Sequence, residues 1–177
     1  MRVIAGEFRS RRLLSLPGLE TRPTPDKMRQ SLFNILGNRV ENSVFVDAYA
    51  GTGAVGIEAL SRGARHAVFI EKNFAAVEVI RKNLATLGLE SRASLVRAAA
   101  PVCEQEFRLG DIVFADPPYT REREYDAILD TLGAVAPPLT VVQHSVRLRL
   151  EEAYGGLLRT RIVKQGDNAL SFYTRAA

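Results

Sequence analysis

The chain has 177 residues, 46% hydrophobic and 25% charged, with a formal net charge of +4. That length suits one domain able to bury about 68 to 70% of its unfolded surface, and the composition is that of a globular chain rather than a disordered one. No apolar run approaches the roughly 18 residues of a membrane span, the N-terminal stretch lacks the apolar core of a secretory signal, and one cysteine, Cys103, allows no intrachain disulfide. With two histidines, His66 and His144, metal ligands are scarce as well. These features predict a cytoplasmic, single-domain protein without a metal site, 1–177, that works as a monomer and binds no membrane.

Residues 1–16 hold two short segments, RVIAG and RRLLSL, around the arginine-rich EFRS, and are read as a β-hairpin or a pair of small strands. Together with the loop that follows they form a basic N-terminal extension, 1–22, ahead of a core, 23–177. Residues 1–39 carry eight bases against three acids, a net of +5, so the remainder is close to neutral. Arginine supplies seven of the eight, and its planar fork suits phosphate and base edges. A near-neutral body with one basic lobe points to contact with a phosphate backbone.

After the proline-punctuated loop PGLETRPTP, the stretch DKMRQSLFNILGNRV places Met28, Leu32, Ile35 and Leu36 at helical spacing, with Gly37 as a stop. From residue 43 strands and helices alternate. SVFVDAYA, HAVFIE, SRASLVRA, DIVFAD and PLTVVQH read as strands. AVGIEALSRG, NFAAVEVIRKNLATLGL and EREYDAILDTLGAVA read as helices. LLRTRIVKQGDNALSFYTR closes the chain as two strands joined through GDN. This order predicts an α/β fold of Rossmann-like type, with a seven-stranded, mostly parallel sheet, helices on both faces and an antiparallel hairpin at the end.

DAYAGTGAVG satisfies G-x-G-x-x-G through Gly51, Gly53 and Gly56, after a strand and before a helix, and Glu71 ends the next strand. That is a dinucleotide fingerprint, so a nicotinamide-dependent oxidoreductase stands as one alternative. Asp47, four residues ahead of Gly51, argues against a diphosphate and for a cation. S-adenosylmethionine carries an ammonium and a sulfonium, and its ribose hydroxyls need an acceptor such as Glu71.

DIVFADPPY runs a buried strand into Asp116, Pro117, Pro118 and Tyr119. Proline has no N–H and a fixed φ, so the loop is stiff and rich in free carbonyls. Asp116 and the Pro117 carbonyl can accept both hydrogens of one NH₂ group, while Tyr119 offers a ring on which a base can stack. Two acceptors can draw an aromatic amine toward tetrahedral geometry and aim its lone pair at a sulfonium methyl, so positioning is the main catalytic device.

DAYAGTG, Glu71 and DPPY resemble the motifs of S-adenosylmethionine-dependent amino-methyltransferases. Nearly the whole chain, from RVIAGEFRSRRL through TRPTPDKMRQSLFNIL to GDNALSFY, further resembles the bacterial 16S ribosomal RNA guanine-N(2)-methyltransferase family. The resemblance implies that Asp47, Ala50, Gly51 and Gly53 line the methionine end of the cofactor and that Glu71 holds its ribose. It also implies that Thr24 contributes to cofactor binding and that Asp116 and Pro117 grip the target amine while Tyr119 stacks on the guanine. Where such families place an acid near the adenine this chain reads RAAAP, which leaves backbone groups near Ala98 and Ala99. Arg9, Arg11, Arg12, Arg22 and Arg29 are the implied RNA contacts, with the target base extruded into the pocket. The expected partner is small-subunit ribosomal RNA, within an assembled or partly assembled subunit. A DNA adenine-N(6) methyltransferase and a non-catalytic RNA-binding assembly module stand as further alternatives.

Overall fold

The computed structural model describes residues 1–18 and 26–177. In chain order its elements are α1 (Asp26–Leu36), β1 (Val44–Asp47), α2 (Ala54–Ser61), β2 (His66–Ile70), α3 (Phe74–Leu87), β3 (Ala93–Val96), α4 (Glu104–Leu109), β4 (Ile112–Ala115), α5 (Glu122–Val135), β5 (Leu139–Ser145), β6 (Ala153–Tyr154), β7 (Leu157–Gln165) and β8 (Asn168–Arg175). The strands form one sheet in the order β3-β2-β1-β4-β5-β8-β7-β6. The first five run parallel, and β8, β7 and β6 complete the sheet in antiparallel pairing. The sheet therefore has eight strands where the sequence predicted seven. The addition, β6, is a two-residue strand whose sequence has no pattern of its own and which forms by pairing with Leu157 and Leu158.

Both faces of the parallel strands are covered, so VFVD and IVFA are apolar without alternation. Phe45, Phe69 and Phe114 pack with α1, α2 and α3 on one face. Val46, Val113 and Val142 pack with Phe107 of α4 and with Ile128 and Leu132 of α5 on the other. Burying a side chain such as Phe45, which is fully inaccessible, stabilises the fold by about 1.5–3 kcal/mol. No helix among the described residues is long and apolar enough to cross a membrane.

The N-terminal segment departs from the expected hairpin. A single antiparallel bridge, Arg2 with Arg12, and scattered backbone bonds such as Val3 N to Arg11 O (3.0 Å) hold its two arms, without a ladder. Its main attachments run to α2. The Glu58 carboxylate accepts from the amides of Ile4 (2.8 Å) and Ala5 (3.0 Å), and Ser61 Oγ accepts from Phe8 N and donates to Ala5 O. Val3 and Leu13 belong to the main core, so the segment is part of the fold that also carries arginines outward.

Candidate functional site

Strand order reverses between β1 and β4, and in open α/β sheets ligands bind beyond the carboxyl ends of the strands at such a point. Asp47 ends β1 opposite Phe114 of β4, which puts Asp116 just beyond the end of the neighbouring strand. Above these ends opens a cleft of about 380 Å³. Gly51, Glu71, Ala98, Ala99, Asp116 and Pro118 are among the residues that line it. The volume is in the usual range for a small-molecule site.

The glycine loop is fixed from two directions. Glu71 accepts from Gly51 N (2.9 Å) through Oε2 and from Asn73 N (2.9 Å) through Oε1, and Asn73 in turn caps α3 by accepting from Ala76 N (3.0 Å). The Glu71 carboxylate thus joins the loop to the start of α3 while remaining at the cleft wall. Gly53 begins α2 with φ +85°, and a Cβ on Gly56 would lie 2.3 Å from the Phe69 ring, so the helix reaches β2 only with glycine there.

Asp47 occupies a place the sequence did not indicate. It is 1% exposed and does not line the cleft; its Oδ2 accepts from Gly56 N (3.0 Å) in the first turn of α2. Burial pushes its pKa up to about 7, the Gly56 amide pulls the other way, and the nearby Asp116 and Glu71 charges add to the rise. Ala50 and Gly53 are likewise buried beneath the loop.

Beyond β4 the loop is tied on both sides. Tyr125, buried on α5, directs its hydroxyl at the carbonyls of Pro117 (3.1 Å) and Gln143 (3.0 Å). Tyr119, half-buried, donates to Asn168 Oδ1 (2.7 Å) and accepts from Gln143 Nε2 (3.2 Å). These bonds place the tyrosine next to the β7–β8 turn rather than on the cleft wall. Tyr49 Oη donates to Glu124 Oε1 (2.8 Å), and both residues line the cleft. Burial and the Glu124 carboxylate push the Tyr49 pKa well up, which keeps it a donor. Tyr49 and Glu124 had no assigned role in the sequence, and no spacing rule links them.

Of the expected RNA contacts, Arg9, Arg11 and Arg12 are exposed. Arg29 is a correction: it is fully buried, donating to Arg2 O (2.6 Å) and Asp26 Oδ1 (3.0 Å), with desolvation lowering its pKa. A guanidinium in that position braces the N-terminal segment and offers nothing to a phosphate. Thr24 and Arg22 lie outside the described residues.

A family model described as conserved hypothetical protein 95 matches residues 1–174. The chain belongs to that family. "Putative rRNA methyltransferase YlbH" of Bacillus subtilis (strain 168) is 34% identical over 186 residues, spanning 99% of each chain. "Ribosomal RNA small subunit methyltransferase D" of Escherichia coli (strain K12) is 40% identical over 123 residues, which cover 68% of this chain and 61% of that protein. The solved structure "Putative methyltransferase yhhF from Escherichia coli" superposes with a TM-score of 0.84 at 33% identity, covering 100% of this chain and 98% of that one. The fold is that of a class I methyltransferase, and these matches uphold the family resemblance drawn from the motifs. The nicotinamide-dependent reading of the glycine loop finds no support among them, since these relatives carry methyltransferase names.

Proposed function

We propose that this protein transfers a methyl group from S-adenosylmethionine to the exocyclic N(2) amine of a guanine in 16S ribosomal RNA. The observation that carries the reading is the presence of Asp116 and Pro118 on the same cleft as Gly51 and Glu71. Cofactor groups and an amine acceptor thereby share one space.

The cleft suits the cofactor. Glu71 provides a carboxylate at the wall for hydroxyl groups, the alanine run 98–100 provides an apolar side, and Asp47 lies beneath the loop as a buried carboxyl whose ionisation a cationic ligand would favour. When bound, the cofactor supplies an electrophilic methyl carried by a sulfonium. Asp116 and the Pro117 carbonyl accept the two amine hydrogens, and Tyr125 holds that carbonyl in direction through its 3.1 Å hydrogen bond. Tyr119, fixed by Asn168 and Gln143, presents its ring to the extruded base. Arg9, Arg11 and Arg12 hold phosphates, and the relatives' names support small-subunit RNA as the substrate. The cytoplasm, where small subunits are made, is the place of action.

The test is transfer of labelled methyl to small-subunit RNA, free and in subunits from unmodified cells, with nucleoside analysis. Label in N(2)-methylguanosine is expected, and Asp116→Ala should reduce it by at least about 10³-fold with cofactor affinity little changed. Label on adenine would substitute a different amine. A bound cofactor with no transfer to either RNA would favour a non-catalytic role in assembly.

A further inference from the structure

On the α4/α5 side of the sheet, past the end of β5, there is a second hollow of about 330 Å³. Val146, Leu148, Leu150 and Ile162 supply the aliphatic half of its surface, and Ile162 is 41% exposed. Three cations, Arg149, Arg159 and Lys164, stand around it, and among the described residues no carboxylate lines it. Glu151 and Glu152 border an adjoining hollow that shares Arg149, Leu150 and Arg159, and Asp167 stands nearby, its carbonyl accepting from Val146 N (3.0 Å).

The strand register shows how the hollow is built. His144 of β5, Ala169 of β8 and Lys164 of β7 lie in one cross-strand row, and Ile162 stands opposite Ser171. His144 is 2% exposed, with Nδ1 on Ser145 O (2.9 Å) and Nε2 on Ser171 Oγ (2.8 Å). A carbonyl can only accept, so Nδ1 carries the proton and the ring is a neutral, saturated floor; burial and the neighbouring Arg159 and Lys164 lower its pKa. Arg159 is half-buried and donates to Leu150 O (3.2 Å), which leaves Arg149 and Lys164 as the exposed charges.

Position decides what this combination is for. Ala169, in the wall, adjoins Asn168, the residue that holds the Tyr119 hydroxyl. The hollow therefore adjoins the loop after β4 across the start of β8. We propose that the hollow holds a nucleotide of the RNA flanking the target guanine, its phosphodiester between Arg149 and Lys164 and its sugar and base against the aliphatic surface. The N-terminal arginines stand on the opposite face with α2, so the RNA is gripped on both faces of the sheet around the carboxyl ends of the strands.

This inference rests on the RNA-methylating reading, and one set of measurements separates the two. Binding of small-subunit RNA is titrated against salt for the wild type, for Arg149→Glu/Lys164→Glu, and for Arg39→Glu/Arg65→Glu, which makes the same charge change at exposed sites by the amino ends of β1 and β2. The hollow variant should bind about tenfold more weakly, with a log–log salt slope shallower by about 0.7 for each phosphate no longer neutralised, and with cofactor affinity unchanged. Ile162→Ser should raise KM for RNA while leaving that slope intact. Equal losses of affinity in the two double variants would reduce the effect to overall charge and overturn the assignment. A wild type that binds cofactor but not RNA would remove the underlying reading, and the hollow's role with it.

Discussion

Asp47 spends much of the neutral range uncharged because burial disfavours its carboxylate, and its pKa of about 7 lies above the ordinary carboxylate value. Between about pH 4 and 7 the folded protein therefore binds more protons at this group than the unfolded chain does, so its contribution to stability falls as pH rises through that window. The repulsion it receives from Asp116 and Glu71, both on the cleft, shows that charge placed in the cleft reaches it. A cationic cofactor reverses that repulsion and favours ionisation. Cofactor affinity should accordingly increase from about pH 6 to 8 with proton release on binding, measurable by calorimetry in buffers of different ionisation enthalpy. Asp47→Asn keeps an acceptor for Gly56 N but no charge; it should raise the melting temperature at alkaline pH, weaken cofactor binding and abolish its pH dependence. Glu71 and Asp116 could be placed at the cleft because each follows an apolar strand, whereas Asp47, read as facing the ligand, is buried away from it. The pairs that hold the aromatic groups were not legible. Tyr49 with Glu124 and Tyr119 with Asn168 are 75 and 49 residues apart, and only the folded topology brings them together.

Among the elements, α2 carries the greatest burden, since all eight of its residues are buried. Its Glu58 has no exposure, pairs with Arg62 at 2.9 Å and accepts two backbone amides from the N-terminal segment. In Glu58→Gln one carboxylate oxygen becomes an N–H that faces another donor, so one amide loses its acceptor. A stability loss of about 1–3 kcal/mol is expected by chemical denaturation. Hydrogen exchange at Ile4 and Ala5 should accelerate selectively; unchanged exchange there would show that the segment is held by other bonds. A sign of this role was visible in AVGIEALS, where one acid interrupts an otherwise apolar helix and must find a partner. Arg29 misled in the opposite way. It follows Asp26 by one helical turn in a basic stretch, and sequence position cannot tell a buried brace from a surface charge. The short α4 and β6 were illegible because six and two residues are too few to show a period.

At the scale of the whole molecule, charge and topology separate the tasks. Arg9, Arg11 and Arg12 are exposed, and no ion pair occupies them among the described residues. Changing all three to glutamate should weaken RNA binding and flatten its salt dependence by about 0.7–0.9 in slope per phosphate released, with cofactor affinity preserved; an unaltered slope would leave the segment a structural role alone. The alternation of strand and helix over residues 43–145 was legible because parallel strands covered on both faces read as unbroken apolar runs. The order of the final strands has a consequence for biosynthesis. β8, last in the chain, sits between β5 and β7, with Leu170, Ser171, Phe172 and Tyr173 buried. Until it is synthesised and released, β5 presents an open edge beside a finished parallel half-sheet. A nascent chain stalled before residue 168 would therefore hold its glycine loop beside a sticky seam, with Tyr119 still lacking its Asn168 partner, making translational pausing there an aggregation hazard.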